Sequence, residues 1–108
     1  MNSHKLLQAY LERTVPRCGI YKIVNSVTEE IYIGSSKHLQ RRKKNFLSDA
    51  RAGKCSRRLQ LAVDQYGIDC FHFIEIECCA ESALTKREQY YIDSLHPFYN
   101  SHLVAVRG

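Results

Sequence analysis

Hydrophobic positions along the chain change period several times, and each change marks an element. Residues 3–13 (SHKLLQAYLER) place Leu6, Leu7, Tyr10 and Leu11 at helical spacing behind Ser3, a possible cap, and Val15-Pro16 ends the run. GIYKIVN and IYIGSS are rich in β-branched and aromatic residues and flank SVTEE, which predicts a β-hairpin from about Gly19 to Ser35. From Lys37 to about Gly53 the apolar residues return at helical spacing, and Gly53 is a natural stop. Ser56 to Tyr66 predicts another helix, stopped by Gly67. CFHFIEIECC, residues 70–79, alternates apolar and polar as a strand does when one face is less tightly packed. Glu81 to Leu95 predicts a last helix, ended before Pro97. The order α, β, β, α, α, β, α is that of an α+β domain with a small, mostly antiparallel sheet.

The totals narrow the picture. A chain of 108 residues suits one domain, and 44% hydrophobic with 25% charged residues excludes disorder. The net charge of +5 is compatible with a polyanionic partner as well as with a plain basic surface. The cysteines, Cys18, Cys55, Cys70, Cys78 and Cys79, are odd in number and form no C-x-x-C pair. A structural zinc site is therefore not expected, and free thiols packed as small hydrophobes in a reducing cytosol are. No run is long enough for a signal peptide or a membrane span.

Three placements carry chemistry. If the hairpin loop holds an even number of residues, Tyr21 and Tyr32 share one sheet face while Ile20, Ile31 and Ile33 take the other. Cross-strand packing alone would explain two such tyrosines. In LQRRKKNFLSDARAG, Leu39, Arg42, Phe46 and Ala50 fall on one helical stripe, with Lys43 at its edge and Arg41 and Lys44 pointing outward. A guanidinium among apolar neighbours either snorkels along its own stem or clamps an anion such as phosphate. In the last helix, Leu84, Glu88, Tyr91, Ile92 and Leu95 form the apolar stripe, which Glu88 interrupts with a carboxylate. Glu88 could pair with Arg42, or hold a hard divalent cation beside a phosphate. Glu81 suits the first helical turn, where it complements the dipole. Asn100, near a helix exit, is by itself an ordinary turn former.

Gly19-Ile20-Tyr21, ten intervening residues, then Tyr32-Ile33-Gly34, resembles the signature of the GIY-YIG endonucleases. The order that follows is also similar: Ser35-Ser36-Lys37, the basic helix with Arg42, Leu59…Tyr66-Gly67…Phe71, Glu88-Gln89-Tyr90-Tyr91-Ile92 and Tyr99-Asn100. The resemblance spans about residues 19–100, and the layout is like that of phage homing-type nucleases; the excision-repair nuclease subunit carries a similar module. It implies a three-stranded antiparallel sheet flanked by helices, with the segment 1–16 as a helical extension, 17–101 as the nuclease domain and 102–108 as a short tail. It further implies a site in which Tyr21, Tyr32, Arg42, Glu88 and Asn100 are catalytic and Glu88 is the single ligand of Mg2+ or Mn2+. Tyr21 would orient the attacking water and, if nearby cations lower its pKa, deprotonate it. Lys22 faces the other side of its strand, leaving Arg42, Lys37 or the metal to do so. Lys37, Arg41, Lys43, Lys44, Arg57 and Arg58 would contact phosphates.

The implied function is metal-dependent endonucleolytic hydrolysis of DNA, with duplex DNA as partner and a homodimer or a separate protein as the source of specificity. The implied setting is cytoplasmic, that of the host if phage-encoded. One departure matters. Four residues after the arginine, where many members carry histidine and the repair subunit tyrosine, this chain has Phe46, which transfers no proton. The site is then slower, relies on Tyr21 and a metal-bound water, recruits His38 or His102, or is inactive. A nucleic-acid-binding module without turnover is the main alternative, and a plain interaction domain the third.

Overall fold

The structure, a computed structural model, describes residues 15–101 together with Leu6, Leu7 and Ala105. The helix expected over residues 3–13 lies, but for Leu6 and Leu7, outside the described residues, as do His102 and most of the tail. The element order is β1 (Gly19–Asn25), β2 (Ile31–Ser36), α1 (Leu39–Arg51), α2 (Arg57–Tyr66), a 3-10 turn (Ile68–Cys70), β3 (Phe71–Cys78), a second 3-10 turn (Glu81–Ala83) and α3 (Leu84–Leu95). The strands form one antiparallel sheet in the order β2-β1-β3, as the α+β expectation requires.

The hairpin register pairs Ile20 with Ser35, Tyr21 with Gly34, Lys22 with Ile33 and Ile23 with Tyr32. Odd positions therefore oppose even ones, and the side-chain period of two sorts them onto two faces. Tyr21, Ile23 and Tyr32 pack with Leu39, Phe46 and Ala50 of α1 and Leu59, Ala62 and Val63 of α2. Ile20, Ile31 and Ile33 pack with Leu84 and Ile92 of α3 on the other side. The domain is thus three layers, with the sheet between α1/α2 and α3.

The motif glycines have a packing reason. A Cβ at Gly34 would overlap the Tyr21 phenol, whose ring lies across that residue. A Cβ at Gly19 would overlap the backbone carbonyl of Glu77. There β3 crowds β1, next to a register shift between Ile20 and Tyr21. Both glycines serve close approach.

Several expectations need correction. α1 begins at Leu39, two residues later than expected, because His38 caps it: its Nδ1 accepts from the Arg41 N–H at 3.2 Å. Leu95 is 44% exposed and is not part of the core stripe, because α3 ends there in a left-handed residue, His96. Glu81 sits in the 3-10 turn before α3 and pairs with Lys37 at 2.9 Å. The thiols are free; half-buried Cys18, Cys55, Cys70 and Cys79 pack against the core, and only Cys78 is exposed. On β3 only Phe71 is buried.

Candidate active site

The candidate residues come from both layers of the fold and meet around β2. Arg42 leaves α1 between Leu39 and Phe46, both buried, so its stem runs along the core while its guanidinium reaches the sheet. Its Nε–H donates to the Tyr21 hydroxyl at 2.9 Å. The guanidinium carbon lies 5.7 Å from the Tyr21 ring centre, in cation–π range. On its other side Nη1 stands 3.8 Å from Asp49 Oδ2, on the last turn of the same helix. Tyr21 is held from behind by Phe73, stacked at 4.5 Å, and Tyr32 lies beside it at 6.3 Å.

Glu88 approaches from α3. Its Oε1 accepts a short hydrogen bond from the Ser35 hydroxyl. Ser35 belongs to the α3-facing parity of β2, whereas Tyr32 and Gly34 belong to the α1-facing parity. The carboxylate therefore approaches β2 from the α3 side, at the residue next to Gly34. Glu88 acts electrostatically on both Tyr21 and Tyr32. The expected alternative of an Arg42–Glu88 ion pair is not what forms: Arg42 pairs with Tyr21 and Asp49, and Glu88 with Ser35.

Asn100 is buried and both ends of its amide are used on one residue. Its Oδ1 accepts from Ile33 N–H at 2.8 Å, and its Nδ2 donates to the Ile33 carbonyl at 2.9 Å. The side chain thereby mimics a neighbouring strand on the outer edge of β2, helped by the Tyr99 N–H on the Ile31 carbonyl at 3.0 Å. Losing it would strand two buried backbone groups, at a cost of about 2–4 kcal/mol. Asn100 thus holds the Tyr32-Ile33-Gly34 segment through the Ile33 backbone. A second buried amide, Asn25, ties the Tyr99 segment to the end of β1: its Nδ2 donates to the Tyr99 hydroxyl at 3.1 Å. Nothing in the sequence distinguished Asn25 from a turn residue.

Of the cations that would have to lower the Tyr21 pKa, Arg42 does pull it down, but burial outweighs that pull. Burial, then the adjacent Tyr32, push it up to about 12, and Arg42 only partly opposes them. Burial also raises Tyr32, again against the pull of Arg42. With the protein's own groups around it, Tyr21 is therefore a neutral phenol in the physiological range, placed to orient a water. The shift has a consequence for stability. With about 10 in the unfolded chain and about 12 folded, the contribution is complete below pH 10 and is lost as pH rises from 10 through 12. The melting temperature is expected to fall more steeply above pH ~10 in wild type than in Tyr21→Phe; equal alkaline slopes would contradict the burial of this phenol.

The basic residues divide. A cleft of about 300 Å³ opens beside Arg42 and is lined by Ser35, Ser36, Lys37, His38, Arg41 and Asn45. Lys37 and Arg41 thus flank the site as expected, and Lys44 is exposed on the same helix. Lys43 does not join them: it lines clefts against Phe71, His72 and Phe73 and against Arg17 and Glu75. Arg58 lies over the Phe98 ring and donates to the Phe98 carbonyl at 3.1 Å, with exposed Arg57 beside it in sequence. Phe46 is 1% exposed and part of the core. His38 borders the cleft, but its Nδ1 lone pair is committed to the helix cap.

The family model for the GIY-YIG catalytic domain matches residues 17–100. The chain belongs to the GIY-YIG family. The matched span contains all the site residues placed above. The chain is similar to intron-associated endonuclease 1 of Enterobacteria phage T4, with 28% identity over 92 residues. The match covers 82% of this chain but only 37% of the phage protein's length. Among solved structures, the catalytic domain of the homing endonuclease I-TevI matches with a TM-score of 0.73 at 26% identity, covering 80% of this chain and 99% of that one. A variant of the same domain matches with a TM-score of 0.74 at 23% identity, covering 84% and 97%. The three-stranded antiparallel sheet with flanking helices is thus the GIY-YIG fold, and the chain is a nuclease-family domain similar to a homing endonuclease catalytic domain. No helix among the described residues is long and apolar enough to cross a membrane.

Proposed function

We propose that this GIY-YIG domain is an endonuclease that hydrolyses phosphodiesters in DNA with one divalent cation, Mg2+ or Mn2+. The observation that carries the proposal is the convergence of Arg42 and Glu88, a cation and an anion on separate helices, on the Gly34–Ser35 segment next to an open basic cleft. A structural purpose would be served by pairing the two charges with each other, and they pair elsewhere.

The donors fit a hard cation. Glu88 is a lone half-buried carboxylate with the Ser35 hydroxyl beside it, and the described residues contain no cluster of three His, Cys, Asp or Glu side chains. Mg2+ commonly binds through one or two carboxylates and keeps its waters, whereas zinc prefers three or four nitrogen and sulfur ligands. When bound at Glu88 the ion would supply Lewis-acid polarisation of the phosphate and charge relief at the leaving oxygen. Arg42 would stabilise the charge that grows on the phosphorane-like transition state, its planar fork being suited to phosphate oxygens. Tyr21 and Tyr32, both protonated, would donate to the phosphate or to the incoming water. Lys37, Arg41 and Lys44 would hold flanking phosphates, which positions the strand without reading its sequence.

Supercoiled plasmid tests the proposal. Wild type is expected to nick it with Mg2+ or Mn2+, to stop when the metal is chelated, and to bind DNA less tightly as salt rises. The second reading, a DNA-binding module without turnover, is favoured by the burial of Phe46 where relatives place a proton-transfer group. Salt-sensitive binding with no nicking under either metal would establish it.

A further inference from the structure

Phe98 differs from the other aromatic residues around the site. It lies between buried Pro97 and buried Tyr99, yet it is itself 54% exposed. Its ring is nevertheless held: the Tyr99 ring meets it at a steep angle with centres 5.7 Å apart, and the Arg58 guanidinium carbon lies over it at 5.4 Å. Arg58 also donates to the Phe98 carbonyl at 3.1 Å. Anchoring of this segment does not require the pair, because Tyr99 and Asn100 already bind the edge of β2 and Asn25 binds the Tyr99 hydroxyl. On α3 the comparable pair, Arg87 over Tyr90, has its charge met by Glu77. Arg58 has no carboxylate partner among the described residues, and both of its contacts are with Phe98. A cation without a counter-ion, stacked on an aromatic ring that is open to solvent, suits a flat ligand carried on an anionic backbone.

The pair borders the site. Tyr99 and Leu59, the chain neighbours of Phe98 and Arg58, pack in the same core cluster as Tyr21, with Tyr32 against it. The Tyr99 N–H bonds the Ile31 carbonyl, one residue before Tyr32, whereas the basic cleft is lined from Ser35 onward. β2, six residues and roughly 20 Å long, thus runs from the Phe98 end to the cleft, with Tyr32 between them. We propose that the Phe98–Arg58 pair is a stacking site for an unpaired nucleobase, on the strand whose phosphates lie in the basic cleft. This rests on the DNA reading above. It adds what phosphate contacts do not supply, a preference for distorted or single-stranded DNA over fully paired DNA. The flat face of the base covers the guanidinium–ring pair, and the adjoining phosphate meets the Arg58 charge. A base inside an intact duplex has both faces covered by its neighbours and cannot bind there.

Fluorescence anisotropy with the full chain in EDTA, where binding is read without cleavage, tests this. The probes are a duplex oligonucleotide and the same duplex with a short unpaired stretch in one strand. Wild type is expected to bind the second probe about tenfold more tightly, the scale of one base stacked on an aromatic side chain. Phe98→Ala should erase that preference and Phe98→Tyr should keep it. A fluorescent adenine analogue in the unpaired stretch should be quenched by wild type and not by Phe98→Ala. The ratio between the two probes cancels any loss of folded protein. Equal affinity of wild type for both probes overturns the inference. So does a preference that survives in Phe98→Ala or disappears in Phe98→Tyr. Each of these results leaves the nuclease reading standing on plasmid nicking, whereas failure to bind either probe at low salt removes the DNA reading and this inference together.

Discussion

Arg42→Ala is expected to slow single-turnover cleavage by about 100- to 1,000-fold, the scale of losing one preorganised charged donor in an active site. DNA affinity should fall much less, because Lys37, Arg41 and Lys44 remain to contact the backbone. Arg42→Lys should not rescue the rate. The guanidinium uses Nε on Tyr21 at 2.9 Å while Nη1 faces Asp49 at 3.8 Å. A lysine ammonium is a single point at the end of a flexible stem and does not span both directions. The alanine variant also leaves the Tyr21 hydroxyl without its charged donor, so the Tyr21 pKa should move further from the ordinary phenol value. A lysine variant within a few-fold of wild type would show that charge alone matters at this position and that the fork geometry does not.

Glu88→Gln is the second large effect. Glutamine keeps the shape of the side chain and still offers Ser35 an acceptor, so α3 should stay docked and the melting temperature close to wild type. The anionic oxygen is lost, and with it the hard ligand on which a Mg2+ or Mn2+ site depends. Nicking should drop at least about 100-fold, and raising the metal concentration should not recover it. An independent readout comes from the phenols. The Glu88 charge is among the causes that raise both Tyr21 and Tyr32. Removing it should shift the alkaline phenolate titration to lower pH. Full activity in this variant would sink the assignment of Glu88 as ligand, whereas an unmoved titration would show only that the carboxylate lies too far from the phenols.

Not every charged contact near the site is catalytic. Arg87 grips Glu77 through both carboxylate oxygens at 2.7 Å, and the Tyr91 hydroxyl donates to the same carboxylate at 3.0 Å. Arg87 also stacks over Tyr90 at 4.5 Å. This cluster ties α3 to β3, one residue before Glu88 in sequence. It orients the helix that delivers the carboxylate, and its hydrogen bonds from Arg87 and Tyr91 hold the Glu77 pKa low against burial.

The elements and their faces were legible because each follows from a local period. Alternation along IYIGSS and GIYKIVN predicted that Tyr21 and Tyr32 share a face, and the helical period put Arg42 among Leu39, Phe46 and Ala50. The two GIY and YIG triplets pointed to the fold, and the packing around Gly19 and Gly34 gives the reason for their glycines. What spacing left open depended on surroundings. Spacing could name Arg42 as a cation near Tyr21 but not weigh it against burial, which outweighs Arg42 and raises the phenol to about 12. Spacing put Lys43 at the edge of the apolar stripe, but only the packed sheet shows which cleft that edge borders, the one against Phe71 and Phe73.

By itself, then, the sequence determined the order of strands and helices, the two faces of the hairpin, the family and the identity of the charged residues that interrupt apolar stripes. These are set by residue spacing, which a linear chain already contains. Tertiary structure alone decided what those residues touch. It placed Glu88 against Ser35 from one side of the sheet and Arg42 against Tyr21 from the other, spent Asn100 on the edge of β2, and brought Asp49 to face Arg42 beyond the buried Phe46. Such meetings depend on how layers close over one another, and no period along the chain encodes the distance between two helices on opposite faces of a sheet.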